Sequence, residues 1–316
     1  MEGAGERGAS RRHDPVTAGV PGTFNCLKQE RHMSFKAIDI HPHVISTDTV
    51  KYPRAPLGGH QSVWSQERPV SYEQMIKAMD EAGVEKSAVV QASTCYGHDN
   101  TYLAEAVAAY PKRFTGVFSA DVLAGDGPER MRYWVGRGLT GLRLFTVGST
   151  MTTQSNWLDD PRTFPSWEAA EQLNIPMCLQ VRVPGLPMVH TLAKKFPRVR
   201  IIIDHLMNPE MEDGPPYAKA APLFELVQYP HVHLKLTSNS TRAAVKGKAT
   251  PETFFAKLVG EFGASRIAWG SNYPAATGTL KEILDEARVA LAFLPAKDQE
   301  QIFRKTAQSL YPALAD

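Results

Sequence analysis

After Met33 the chain alternates short apolar runs with amphipathic stretches almost without interruption. Eight runs read as strands, at 37–43, 87–91, 114–120, 141–145, 177–182, 199–205, 232–237 and 267–271. Each is apolar and rich in β-branched or aromatic residues, as strands covered on both faces should be. The stretches between them carry helical periodicity. One starts at Tyr72 behind Ser71 as N-cap, keeps Ala78, Met79 and Ala82 on its apolar side and stops at Gly83. Others cover 100–110, 127–137, 164–174, 186–196, 217–228, 251–262, 280–293 and 298–310. Repeated β-then-α units imply a parallel sheet. About eight of them imply closure into a TIM-like (β/α)8 barrel of ~250 residues, expected as a single domain over 34–316. An open doubly wound sheet would need a glycine-rich phosphate loop after its first strand. Here that strand ends His41-Pro42-His43, which cannot cradle a pyrophosphate. The segment 46–69 is too long for an ordinary βα connection, and reads either as a lid over the mouth or as decoration.

Residues 1–33 break the pattern. They are rich in Gly, Arg, Glu and Pro, and show no periodicity. They lack the apolar core of a secretory signal, and Glu2, Glu6, Asp14 and Glu30 oppose a transit peptide. The expectation is a disordered leader. Elsewhere composition narrows the function. A hydrophobic fraction of 43% suits a large core, and a net charge of +2 with mixed signs argues against a nucleic-acid or polyanion surface. Cys26, Cys95 and Cys178 have no paired spacing, which favours a reducing, cytoplasmic setting. No apolar run is long enough to span a bilayer.

In a barrel, chemistry gathers at the carboxyl ends of the strands. His41, His43, His205 and Asn272 all fall at such ends. His41 and His43 share a face because a strand alternates. A single histidine there is most often a hydrogen-bonded core or rim residue, but three together point to a site. Asp39 shares their parity and lies deeper, as a buried orienting partner would. Asp204 has the opposite parity to His205, which assigns it to the helix layer. Arg143, Arg182 and Lys235 also lie at predicted strand ends or on late strand positions. Guanidinium groups bind carboxylates in a bidentate way, so the expected partner is a small anionic organic substrate. Arg182 carries most weight, since a cation ending an apolar strand is costly unless paired. Tyr96 follows the second strand and could line the pocket; ordinary loop polarity explains it equally well. No nucleic-acid or membrane partner is expected, and nothing opposes a homo-oligomer.

An ordered set of motifs runs through these positions: Asp39-Ile40-His41-Pro42-His43, Gly141-Leu142-Arg143-Leu144, Phe196-Pro197, Asp204-His205-Leu206, Leu234-Lys235-Leu236, Trp269-Gly270-Ser271-Asn272-Tyr273-Pro274, and Thr306-Ala307 before Leu310-Tyr311. Over 34–312 the chain resembles the amidohydrolase-related family, in the branch similar to 2-pyrone-4,6-dicarboxylate lactonase and sugar lactonases. The resemblance implies a TIM-like barrel that hydrolyses a lactone, ester or amide; some relatives are decarboxylases or hydratases. It also implies catalytic roles for His205 and position 272. Two departures stand out. The family's last motif has a base, Asp, where this chain has the neutral Asn272. Many relatives carry a histidine at the end of strand five, where this chain has Gln180, and His190 falls in the following helix. His41, His43 and His205 would suffice for a three-histidine zinc site with water in the open position, and a metal-free pocket is the alternative. A lyase on the same scaffold, or a non-catalytic binding barrel, would fit the loss of the aspartate.

Overall fold

The computed structural model describes residues 35–315; the expectation for the leader lies outside the described residues. Eight parallel strands follow in chain order: β1 (Ala37–Asp39), β2 (Val84–Val90), β3 (Phe114–Phe118), β4 (Leu139–Phe145), β5 (Met177–Gln180), β6 (Ile201–Ile203), β7 (Val232–Leu236) and β8 (Ile267–Trp269). Each pairs with its sequence neighbour, and helices fill the connections, giving the expected TIM-like barrel. The first and last strands are stitched just beyond their ends. Ile40 N–H donates to the Trp269 carbonyl (3.2 Å), Asn272 N–H to that of His41 (3.1 Å) and His43 N–H to that of Tyr273 (2.8 Å).

The interior packs Ile38, Ile40, Ala88, Val90, Val117, Cys178, Ile202 and Ala268 against Ala307, Leu310, Tyr311 and Leu314 from the end of the chain. The C-terminal segment enters the barrel beside the early strand residues. Tyr311 Oη lies 3.3 Å from Cys178 Sγ, and a side chain at Gly141 would meet the Tyr311 ring at 2.9 Å. The carboxyl ends of the strands are left for polar residues.

Capping follows the sequence. Ser71 and Gln74 form a capping box ahead of Tyr72–Ala82, and Gly83 ends that helix with φ +74°. The helix expected over 217–228 is instead three short pieces, Ala218–Ala220, Ala221–Phe224 and Glu225–Gln228. Pro222 explains this, since a proline inside a helix removes a hydrogen bond and clashes with the preceding turn. The long segment after β1 is a cover. Its backbone N–H groups at Ala55, Leu57 and Ser62 donate to the carbonyls of Cys95, Ser93 and Thr94, and Arg68 donates to those of Pro274 and Ala275 across the mouth. Among the described residues no helix is long and apolar enough to cross a membrane.

Candidate active site

The site starts where β1 ends. Asp39 Oδ1 accepts the N–H groups of His41 (2.9 Å) and Ser271 (2.8 Å), tying the exits of β1 and β8 together. Asp39 therefore orients the histidine pair through the backbone, not through an imidazole. Burial raises its pKa to about 6, against the lowering effect of the Ser271 and His41 hydrogen bonds. Gly270 makes room beside it. A Cβ at 270 would lie 2.6 Å from His41 Cβ, so the two chains approach this closely only without a side chain there.

Three imidazoles converge at this end of the barrel. The His41 ring centroid is 4.9 Å from that of His43 and 4.7 Å from that of His205, both edge-on. None is more than 4% exposed. His43 Nδ1 contacts the Val90 carbonyl at 2.8 Å. A carbonyl can only accept, so Nδ1 carries the proton and Nε2 keeps its lone pair. His205 Nδ1 lies 2.8 Å from Thr237 Oγ1. His41 has neither ring nitrogen hydrogen-bonded, although both are fully buried. Burial is the main reason these rings stay neutral. It pushes His43 and His205 down to about 3, helped by the Arg143 charge and, for His205, opposed by Asp204. It holds His41 well below the usual imidazole range, with Lys235 adding to the effect.

Asp204 is the residue that parity misassigned. It continues the inward register of Ile202 and enters the site rather than the helix layer. His205 also reaches the interior because the chain turns left-handed at that point, with φ of 54° at His205, 53° at Leu206 and 64° at Met207. Such angles are uncommon for residues other than glycine and mark a backbone shaped by its surroundings. Asp204 Oδ2 accepts from Arg143 Nε at 2.8 Å, and Oδ1 is 2.8 Å from Lys235 Nζ and 3.8 Å from His41 Nδ1. The lysine contact is an ion pair by distance, but is not aligned as a hydrogen bond. Burial would raise the Asp204 pKa; the Lys235 and Arg143 charges overcome it and hold the carboxyl well below the usual range. Ligand atoms of His41, Asp204 and His205 all lie within 4.8 Å of one another. That spacing, the unpaired nitrogens of His41 and the lone pair of His43 Nε2 fit a divalent cation, and imidazole with carboxylate suits zinc or a similar ion.

The other residues expected from sequence fall into two groups. Arg143 and Lys235 are buried within the network, and Arg143 also donates to Gln180 Oε1 (2.7 Å). Gln180 thus braces a cation at the position where a ligand histidine would stand. Arg182 and Tyr96 stand apart, and Asn272 joins the site through its backbone N–H, which donates to the His41 carbonyl. The Arg182 side chain is exposed at the rim, where solvent removes the cost of an unpaired charge, and its backbone N–H donates to Gln154 Oε1. The Tyr96 hydroxyl accepts from Arg54 and from Ser46 N–H, both at 2.8 Å, and so anchors the cover segment. Asn272 is half-buried with φ of 61°, and its carbonyl accepts from Ala276 N–H. Sequence reasoning missed Trp64, whose ring lies 5.3 Å from that of His43 and roofs the site from the cover segment.

A model of the amidohydrolase family matches residues 38–313. The chain belongs to that family. A curated relative, L-fucono-1,5-lactonase of Burkholderia ambifaria, is 32% identical over 120 residues, which are 38% of this chain and 41% of that protein. The chain thus spans about two fifths of the relative it matches. Among solved structures, a candidate 2-pyrone-4,6-dicarboxylic acid hydrolase from Pseudomonas putida superposes with a TM-score of 0.72 at 19% identity, covering 89% of this amidohydrolase and 99% of that chain. An amidohydrolase from Burkholderia multivorans with bound zinc gives 0.70 at 20%, covering 88% and 99%. The 2,6-dihydroxybenzoate decarboxylase of Rhizobium gives 0.64 at 17%, covering 88% and 98%. At such identities the shared property is the fold, which serves hydrolases and decarboxylases alike.

Proposed function

We propose that this amidohydrolase hydrolyses a small, carboxylate-bearing lactone or ester at the barrel mouth. The observation that carries the reading is the meeting of three neutral imidazoles with two buried cations that share a single carboxylate. A divalent ion, zinc by donor type, would be held by His41 and His205 with Asp204 and His43 alongside, and would supply Lewis acidity toward the carbonyl. With an ion on His205, the free lone pair of His43 Nε2 would take the proton of the attacking water; in the metal-free site His205 receives it, its ring held by Thr237. Its low pKa makes it a weak base on its own; a substrate carboxylate brings negative charge that strengthens it. Asn272 donates its amide to the developing oxyanion. Arg143 and Lys235, which share one contacting carboxylate, attract the substrate anion. Arg182 meets the anion at the rim, and Tyr96 steadies the cover that keeps bulk water out. Cys95 and Cys178 are free thiols, which supports a reducing, cytoplasmic setting.

The test is a panel of sugar lactones and carboxylate-bearing lactones offered to the zinc-restored protein, with products identified by mass. Addition of one water supports the reading; release of carbon dioxide assigns the site to a decarboxylase. Arg182→Met should raise KM for acidic substrates far more than for neutral ones. No turnover across the panel, or equal effects on both substrate classes, would refute the proposal.

A further inference from the structure

Lys235 is fully buried at the end of β7, and its Nζ lies 2.8 Å from Asp204 Oδ1. That same oxygen faces His41, and Asp204 is the one acid in the group of possible metal donors His41, Asp204 and His205. A zinc–oxygen bond is ~2.0–2.2 Å. An ion on Asp204 Oδ1 would therefore sit at most ~5 Å from the ammonium if Lys235 kept its contact. Neither group touches solvent, so water and salt screen little of the repulsion. Arg143 donates to the other oxygen at 2.8 Å, so turning Asp204 toward the metal would disturb that bond. Asn272 adds no negative charge. A divalent ion here would meet two fixed cations around the one carboxylate they share, with Asp39 tied to the His41 and Ser271 N–H groups.

We propose that Lys235 is a built-in competitor for Asp204, a positioning residue that sets how tightly the site holds a metal. In the metal-free protein it occupies the carboxylate; in the loaded protein it must withdraw. The ammonium released from Asp204 then becomes available to the carboxylate of a bound substrate. This inference rests on the metal reading made above, and extends it to a residue that is not itself a metal ligand.

The experiment is calorimetric titration of zinc chloride into the metal-free full chain, as wild type, Lys235→Met and Lys235→Gln. Zinc should bind both variants at least tenfold more tightly than wild type. Equal affinities would overturn the role of Lys235 and leave the metal reading intact; absence of zinc binding in all three proteins would remove both. A crystal structure of zinc-loaded wild type gives a readout that needs no variant to fold. Lys235 Nζ should have moved beyond ~4 Å of Asp204, the outer limit of an ion pair. A zinc ion bound to Asp204 with the 2.8 Å contact retained would refute the competition.

Discussion

Asp204 and Lys235 are partners in one ion pair, yet replacing them should have unequal consequences. Asp204 is the single acid between two cations, with Arg143 Nε and Lys235 Nζ each 2.8 Å from one of its oxygens and side chains at most 5% exposed. Asp204→Asn leaves both cations buried without the carboxylate they contact. Breaking one buried pair costs roughly 3–5 kcal/mol, and here one substitution breaks two. The cations also repel each other. They flank a single carboxylate, at most ~8 Å apart, which at an effective dielectric of ~20 gives about 2 kcal/mol that Asp204 no longer offsets. Lys235→Met works the other way. Asp204 keeps Arg143, the cation–cation repulsion disappears, and an apolar side chain of similar length fills the space. Its cost should be about 1 kcal/mol or less, because replacing buried ions by apolar groups is often near neutral.

Urea unfolding at neutral pH, in chelator, measures both. Asp204→Asn should lose at least ~3 kcal/mol with unchanged m, while Lys235→Met stays close to wild type. The reverse order, with Lys235→Met the more damaging, would refute the charge accounting. It would mean that the ammonium makes contacts worth more than its neutralising role.

Three further outcomes follow from the site. Gly270→Ala should weaken zinc binding by tenfold or more while leaving far-UV circular dichroism unchanged, since a Cβ there lies 2.6 Å from His41 Cβ and must displace that residue; titration calorimetry reads the change. The metal-free protein should lose stability as pH falls from about 6.5 toward 3: His43 and His205 have folded pKa values of about 3 against 6.5 unfolded, so the unfolded chain binds more protons across that window. Urea midpoints at a series of pH values would show it, and a flat profile would refute it. Asn272→Asp should tighten zinc binding by adding a carboxylate, and should lower hydrolysis of the native substrate if the amide N–H stabilises the oxyanion; a tenfold rise in rate would instead show that the amide is a lost base.

The barrel was legible because eight apolar runs of strand length alternate with helical ones, and that alternation has few solutions. The histidines were legible because strand ends are where barrels place chemistry. What parity could not give was the backbone beyond the last ladder bond. The run over 199–205 reads as one strand, but β6 stops at Ile203, and the left-handed turn at His205 lets two adjacent residues serve the same site. The same limit hid Trp64. Nothing local in 46–69 distinguishes a loop that decorates a barrel from one that roofs it; the decision lies in contacts such as those of Arg68 with carbonyls more than 200 positions away. For Arg182 the error lay in the assumed burial, not in the proposed role. Its cost as a strand-end cation assumed burial, and β5 ends at Gln180, before the chain leaves the interior.

The neutral side chain at 272 and the lysine at 235 bear on one another. The backbone at 272 takes φ of 61°, a conformation that asparagine and aspartate tolerate better than most residues. Its N–H and carbonyl hold His41 and Ala276 whichever of the two side chains is present. The fold therefore permits aspartate there, and the choice of amide concerns charge. With aspartate at 272, the site would have a further acid to balance Arg143 and Lys235, and a metal would find a carboxylate that neither cation occupies. With asparagine, the acids beside the three imidazoles are Asp204, which two cations already share, and Asp39, whose Oδ1 is held by the His41 and Ser271 N–H groups. The two cations gathered on Asp204 attract an anion at the mouth and resist a further cation beside them. An amidohydrolase arranged in this way should use its substrate's carboxylate to engage Arg143 and Lys235, so the acidic group of the substrate matters to catalysis as well as to binding.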